Sequence, residues 1–217
     1  MKKYVFNIHK NSFSTYLKPI REKYSLIMLL LSSIEKMLIT CPVEEEILDN
    51  FPYIILVKGK FSRLFFLSDH KIFSLSFPFN YDPPKDDNDI GRCYFNDINV
   101  DFGVISRVRE FIVKLSETFN IYSSDSIEEV IDGIDIKESE DFYMVLTGLL
   151  TMEDGYIRYD HDSKHENGNL HPLHHYDIFY HSNNTFKIGI HEKCEFQNIL
   201  NLLDNSIGRH YLTNKYK

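Results

Sequence analysis

The sequence predicts an α+β fold: a mainly antiparallel sheet with a long helix near the amino terminus and a closing helix near the carboxyl terminus packed on it. Three observations carry this. Apolar residues recur at three- and four-residue intervals over residues 20–38, 102–119 and 196–207, the period of an amphipathic helix. Between and after these stretches lie short runs rich in Ile, Val and Phe, separated by polar breaks, as in strands joined by tight turns. The chain has 217 residues, 43% hydrophobic and 14% aromatic, which is enough apolar material for one packed domain spanning residues 1–217.

Within that frame, residues 1–41 read as a helical arm. Ser14, Thr15 and Pro19 mark the helix start, and Ile20, Tyr24, Ile27, Leu31, Ile34 and Leu38 form one apolar stripe. Such spacing serves packing within the subunit, and it would also serve a homodimer seam. Cys41-Pro42 ends the helix. YIILVKG, KFSRLFFLS and KIFSLSFPF, between Tyr53 and Phe79, read as a three-stranded meander, with at least one strand buried on both faces. Asn80–Asp89 is a loop with two prolines and four aspartates, without the glycine and distal glutamate of a calcium loop. A second helix follows over Asp101–Phe119, and Ser126 with Glu129 suggests a capping box for a short third helix ending at Gly133.

Residues 142–217 are expected to hold two hairpins and the closing helix. Phe142–Thr151 and Tyr156–His161 read as one hairpin turning at Asp154-Gly155, with a helix over residues 140–152 as the competing reading. His174–Tyr180 and Thr185–His191 form the other, turning at Ser182–Asn184. The closing helix covers about Glu195–Ile207, stopped by Gly208.

Charge and cysteine usage narrow the function classes. The net charge is −8, yet residues 1–40 carry +5 and the part from Tyr156 onward balances. A net acidic chain is not built for indiscriminate nucleic-acid binding, although the basic amino-terminal segment could touch RNA, DNA or an acidic partner. Three scattered cysteines (Cys41, Cys93, Cys194) match no zinc or redox spacing and suit reduced thiols. The longest apolar run, Leu26–Leu31, is far short of the ~20 residues that span a bilayer. With no apolar stretch directly after the basic start, the expectation is a soluble, cytoplasmic protein with no membrane partner.

The chemistry concentrates between Tyr156 and His191. Of ten histidines, five fall between His161 and His175, interleaved with Arg158, Asp160, Asp162 and Asp177. Alternation along strands puts Arg158 with Asp160, His175 with Asp177, and Lys187 on the matching face of the last strand. His161, His165 and His171 would stand at the rim. Three readings fit. Metal-free phosphodiester cleavage would use two imidazoles as base and acid, with Arg158 or Lys187 stabilising the phosphorane. A divalent Zn²⁺ or Mn²⁺ site would use His171, His175 and Asp160 or Asp177; the four-residue His171–His175 spacing suits a helix, which Pro172 disfavours. A structural ion-pair network with protein-partner binding is the third. There is no Gly-x-Ser-x-Gly nucleophile, no glycine-rich phosphate loop, and the Cys194/His191 proximity alone is not a catalytic pair.

Arg158-Tyr159-Asp160 followed by His171-Pro172-Leu173-His174-His175 resembles a block of uncharacterised bacterial proteins: an Arg-Tyr/Phe-Asp strand, a loop, a His-Pro-x-x-His element, a hairpin and a closing helix. Some of these sit in toxin–antitoxin or phage-defence neighbourhoods. Over the last ~60 residues, the resemblance implies an effector or accessory role beside a protein partner encoded nearby. The expected catalytic set is Arg158, Asp160, His171, His175 and Asp177, acting on RNA or a nucleotide, with no required cofactor. The alternatives are a non-catalytic interaction subunit and a metal-dependent hydrolase.

Overall fold

The computed structural model describes residues 1–18, 20, 22–43, 52–86, 89–118, 140–181 and 184–208. Its frame is a seven-stranded sheet in which every neighbouring pair is antiparallel: β1 (Lys2–Asn7), β2 (Tyr53–Lys58), β3 (Ser62–Ser68), β4 (Lys71–Ser76), then β8 (Ile157–His161), β9 (His174–His181) and β10 (Asn184–Gly189). The chain therefore has both helices and a mainly antiparallel sheet, and is α+β. The meander β2–β3–β4 lies where the Ile/Val/Phe runs place it. Strands β2 and β3 are buried on both faces, which is why they read as continuous apolar runs rather than alternating ones.

Residues 1–41 differ from the expected helical arm. Lys2–Asn7 is an edge strand, pairing Val5 with Ile55 and Phe6 with Ile54. Six residues with three apolar ones carry little local signal, and the partner strand lies some fifty residues away. A short turn of helix, α1 (Phe13–Tyr16), precedes α2 (Lys23–Ile39), which has 17 residues and starts later than the Ser14–Pro19 signal suggests. Helix α2 is buried around most of its circumference: Leu26, Leu29 and Leu30 join Ile27, Leu31, Ile34 and Leu38. The single stripe is too narrow because α2 lies between the sheet and two other helices. These are α3 (Phe102–Thr118), on the expected residues, and α4 (Glu140–Thr151).

Helix α4 corrects the first expected hairpin. Residues 142–151 are helical, as in the competing reading, and bury Phe142, Val145, Leu146 and Leu149 at intervals of three, one and three. The run FYMVLTGLLT has strand-like composition, but burial on α2 and α3 selects the helical period, a tertiary override of local preference. Gly155, at φ +56°, still makes the turn into β8. The stretch expected as loop over Asn80–Asp89 begins with β5 (Asn80–Asp82). This strand pairs with β6 (Arg92–Phe95), which pairs with β7 (Ile98–Asn99), in a small second sheet. The expected third helix over Ser126–Gly133 lies outside the described residues.

Two cores flank the large sheet. Tyr4, Phe6, Ile54, Leu56, Leu64, Phe66, Phe73 and Leu75 face α2, α3 and α4. Val5, Ile55, Val57, Phe65, Leu67, Ile72 and Tyr159 face the closing helix α5 (Phe196–Leu203), which contributes Ile199 and Leu200. Phe196 meets Phe65 edge-to-face with centroids 5.1 Å apart. Asn198 Oδ1 accepts the Glu195 amide at 2.8 Å and satisfies a first-turn donor. The helix stops before the expected Ile207, because Asp204 turns the chain and takes both the Ser206 amide (2.9 Å) and hydroxyl (2.6 Å). Among the described residues, no helix is long and apolar enough to cross a membrane.

Candidate functional site

The site lies on β8, β9 and β10, on the face of the sheet that the helices pack against. On β4, Phe73 belongs to the apolar core under the helices; its direct partner across the ladder is Arg158, and the partner of Lys71 is Asp160. One strand further, Arg158 opposes Asp177 and Asp160 opposes His175; on the edge, Lys187 opposes Asp177. Directly opposed residues share a face. The register thus continues the helix-side face of the sheet as Arg158, Asp160, His175, Asp177 and Lys187.

These side chains form one network. Arg158 Nε donates to Asp160 Oδ2 at 2.8 Å, and its Nη2 also contacts Asp177 Oδ2. Lys187 Nζ donates to Asp177 Oδ1 at 2.9 Å and to His175 Nε2 at 2.8 Å. His175 Nδ1 donates to the Pro172 carbonyl at 2.7 Å, which fixes the tautomer and leaves Nε2 as the acceptor of the lysine ammonium. Two carboxylates are thereby neutralised by two cations around a neutral imidazole. Burial holds His175 below its ordinary pKa, assisted by Lys187, while the Pro172 hydrogen bond and the carboxylates oppose the shift without reversing it. Burial alone would pull the Arg158 guanidinium down, but Tyr156, Asp160 and Asp177 together hold it above its usual value.

Exposure divides the expected residues by what they can touch. The side chains of Arg158, Asp160 and Asp177 are 13%, 12% and 15% exposed, and His175 is fully covered. Lys187 retains 29% exposure, and its two hydrogen bonds leave the ammonium one further donor without a partner among the described residues. His171 is not a member of the network. Its ring stands perpendicular to that of His175 with centroids 4.9 Å apart, and its Nε2 lies 3.2 Å from Asp162 Oδ2, outside hydrogen-bond alignment. Asp162 instead takes His165, ring and amide, at 2.9 and 3.2 Å. Its own burial would raise its pKa, yet these His165 hydrogen bonds and the nearby imidazoles hold the carboxyl below the usual range. His161 is on the opposite face of the sheet.

Asp160, His175 and Asp177 could hold a divalent cation: one ligand atom from each lies within 4.8 Å of the others. This set keeps the expected His175, takes both of the alternative carboxylates and leaves out His171. Lys187 and Arg158 already engage the same atoms, so an ion would have to displace the lysine ammonium from His175 Nε2 and Asp177.

Two groups escaped the sequence reading. Lys71 faces Asp160 and donates to the Leu17 carbonyl at 3.3 Å; burial lowers its pKa, with Asp160 opposing. Tyr156 packs its hydroxyl toward Arg158 and the Ile20 backbone, and burial raises its pKa. In sequence Lys71 is only the polar first residue of the KIFSLSFPF run. Only the β4–β8 pairing, across more than eighty residues, brings it to the site. Comparison of the chain with protein-family models, with curated proteins and with solved structures finds no match.

Proposed function

We propose that the face built by Arg158, Asp160, His175, Asp177 and Lys187 handles the phosphodiester of an RNA or nucleotide, in an effector or accessory protein of a defence- or toxin-type module. The cellular setting rests on the Arg-Tyr-Asp and His-Pro-x-x-His resemblance alone. The chemical reading rests on one observation: His175 carries a partly exposed lysine ammonium on one side and the His171 ring on the other. His175 itself touches nothing outside the protein and, with Asp177, Arg158 and Asp160, acts as a positioning residue.

In this reading, His171 and His165, with centroids 6.1 Å apart, supply base and acid. One imidazole takes the 2′-hydroxyl proton as that oxygen bonds to phosphorus. The imidazolium gives a proton to the departing 5′-oxygen as its bond to phosphorus breaks. Lys187 offsets the charge that builds on the non-bridging oxygens. The products are a 2′,3′-cyclic phosphate and a 5′-hydroxyl. The test is incubation with mixed oligoribonucleotides, comparing wild type with His171→Ala and Lys187→Met. Loss of turnover by about 100-fold or more in both supports the reading, within the range that general acid–base and charge-stabilising groups contribute. Absent turnover, or variants equal to wild type, ends it. Turnover that requires added Mn²⁺ or Zn²⁺ and vanishes with chelator would assign the site to a metal-dependent hydrolase using Asp160, His175 and Asp177.

A non-catalytic interaction subunit has its own support. On the opposite face, Ile157, Tyr176, Ile178, Ile188, Ile190 and Leu202 line a groove of about 570 Å³ beside the edge strand β10. Stable co-purification with a neighbouring gene product, together with an absence of turnover, would favour that reading.

A further inference from the structure

A second cluster of imidazoles lies on the other face of the same strands, outside the network above. His174 and His161 are direct partners across the β8–β9 ladder, on the side of Tyr159 and Tyr176 rather than that of His175. Their rings stack with centroids 4.7 Å apart and planes 28° apart. His70, in the β3–β4 turn, accepts the His161 amide on its carbonyl at 2.8 Å and places its ring 5.4 Å from that of His161. Tyr159 Oη sits 2.8 Å from His174 Nδ1. Among the described residues no hydrogen bond reaches a ring nitrogen of His70 or His161.

We propose that His70, His161 and His174 form a binding site for a borderline transition-metal ion, Zn²⁺ in the first instance. Three observations carry this. Neutral imidazole is a preferred donor for Zn²⁺, Ni²⁺ and Cu²⁺, and three of these rings touch in sequence. Residues directly opposed on antiparallel strands have Cβ atoms about 4.5–5.5 Å apart. Two imidazoles from such positions converge on one ion when their nitrogens approach to roughly 3.3 Å, the edge of a tetrahedron with Zn–N bonds of about 2.0–2.1 Å. Lastly, Tyr159 supplies the outer-shell contact that ligating histidines use: with Nδ1–H of His174 donated to the tyrosine oxygen, Nε2 is left as the lone-pair donor.

In the stacked arrangement the three rings do not yet share a coordination sphere. His70 is exposed and His161 and His174 are half-buried, and closure on an ion would bring their ring nitrogens together by rotation of side chains that are already neighbours. The charge around the cluster is mixed, with Glu166 favouring a cation at His174 and Lys193 opposing it. The affinity therefore comes from the imidazoles rather than from a general negative field. The site is independent of the phosphodiester reading, since it shares no side chain with that face.

The test is a calorimetric titration of the untagged full chain with Zn²⁺, repeated on His161→Ala, His174→Ala, Tyr159→Phe and Asp177→Asn, with urea midpoints to confirm that each variant is folded. The expected result is one saturable ion per chain, weakened about 10-fold or more by His161→Ala and His174→Ala. Tyr159→Phe weakens binding by about 10-fold and Asp177→Asn leaves it unchanged. Electron paramagnetic resonance of the Cu²⁺-loaded chain should show hyperfine coupling to more than one imidazole nitrogen, and lose it in His174→Ala. The proposal is overturned if no saturable binding occurs. It is equally overturned if His161→Ala and His174→Ala bind like wild type, or if Asp177→Asn abolishes binding and so places the ion on the opposite face.

Discussion

Replacing Arg158 with methionine removes the one cation shared by two carboxylates while roughly keeping the volume of the aliphatic stem. The consequence follows from the contacts. Asp177 keeps Lys187 at 2.9 Å, but among the described residues Asp160 loses the one side-chain partner hydrogen-bonded to Oδ2, and its buried Oδ1 has none. His175 cannot replace the guanidinium, because its Nε2 is 3.8 Å away and serves as the acceptor of Lys187. Breaking a buried ion pair from one side costs about 3–5 kcal/mol because a charge is left uncompensated. The carboxylates here are 12% and 15% exposed and one retains a partner, which places the expected loss near the lower end, about 3 kcal/mol. With a urea m-value of roughly 2 kcal/mol/M, the midpoint of equilibrium denaturation should fall by about 1.5 M. Adding Asp160→Asn to Arg158→Met should recover part of that loss by removing the stranded charge. A fall of less than about 0.5 M, the scale of a solvent-screened surface pair, would show that the network is not the buried ion cluster described here.

Other outcomes are specific to named groups. His175 is held neutral when folded, with its pKa below the ordinary histidine value, so the unfolded chain binds more protons once the pH falls below about 6.5. Stability should therefore decline as the pH is lowered through and below that value, by up to about 1.4 kcal/mol per unit from this group, and His175→Gln should flatten the dependence; a wild-type midpoint unchanged between pH 7.5 and 5.0 would contradict this. Gly91→Ala should destabilise by about 1–3 kcal/mol in thermal or urea unfolding, because a Cβ there would lie 2.4 Å from the Met37 carbonyl oxygen, a backbone atom that cannot move cheaply. Cys93 and Cys194 are buried, and burial pushes the Cys93 thiol up to about 12 and raises that of Cys194. At pH 8, iodoacetamide should modify Cys41 in the folded protein and reach the other two only in denaturant, as read by mass spectrometry.

Much of the fold was legible where burial leaves a periodic trace. The meander over residues 53–76, helix α3 and the β9–β10 hairpin follow from local composition, since each packs in the way its own period suggests. Strand β1 and helix α4 were not legible in the same way. The first is too short to show a pattern and exists because β2 offers an edge; the second has strand-like residues that the surfaces of α2 and α3 draw into a helix.

The site divides along the same line. The sequence by itself determined which residues share a face: alternation groups Arg158 with Asp160 and His175 with Asp177, and separates His174 from His175. That grouping needs only the two-residue period of a strand. Tertiary structure decided everything that depends on register and cover. It set Arg158 opposite Asp177 and brought Lys71 from a distant strand. It also buried His175 completely while leaving Lys187 and His171 at the rim, and placed His70 against His161. Register is fixed by contacts between segments many residues apart, and solvent cover by how those segments pack over the sheet. Neither leaves a local mark in the chain.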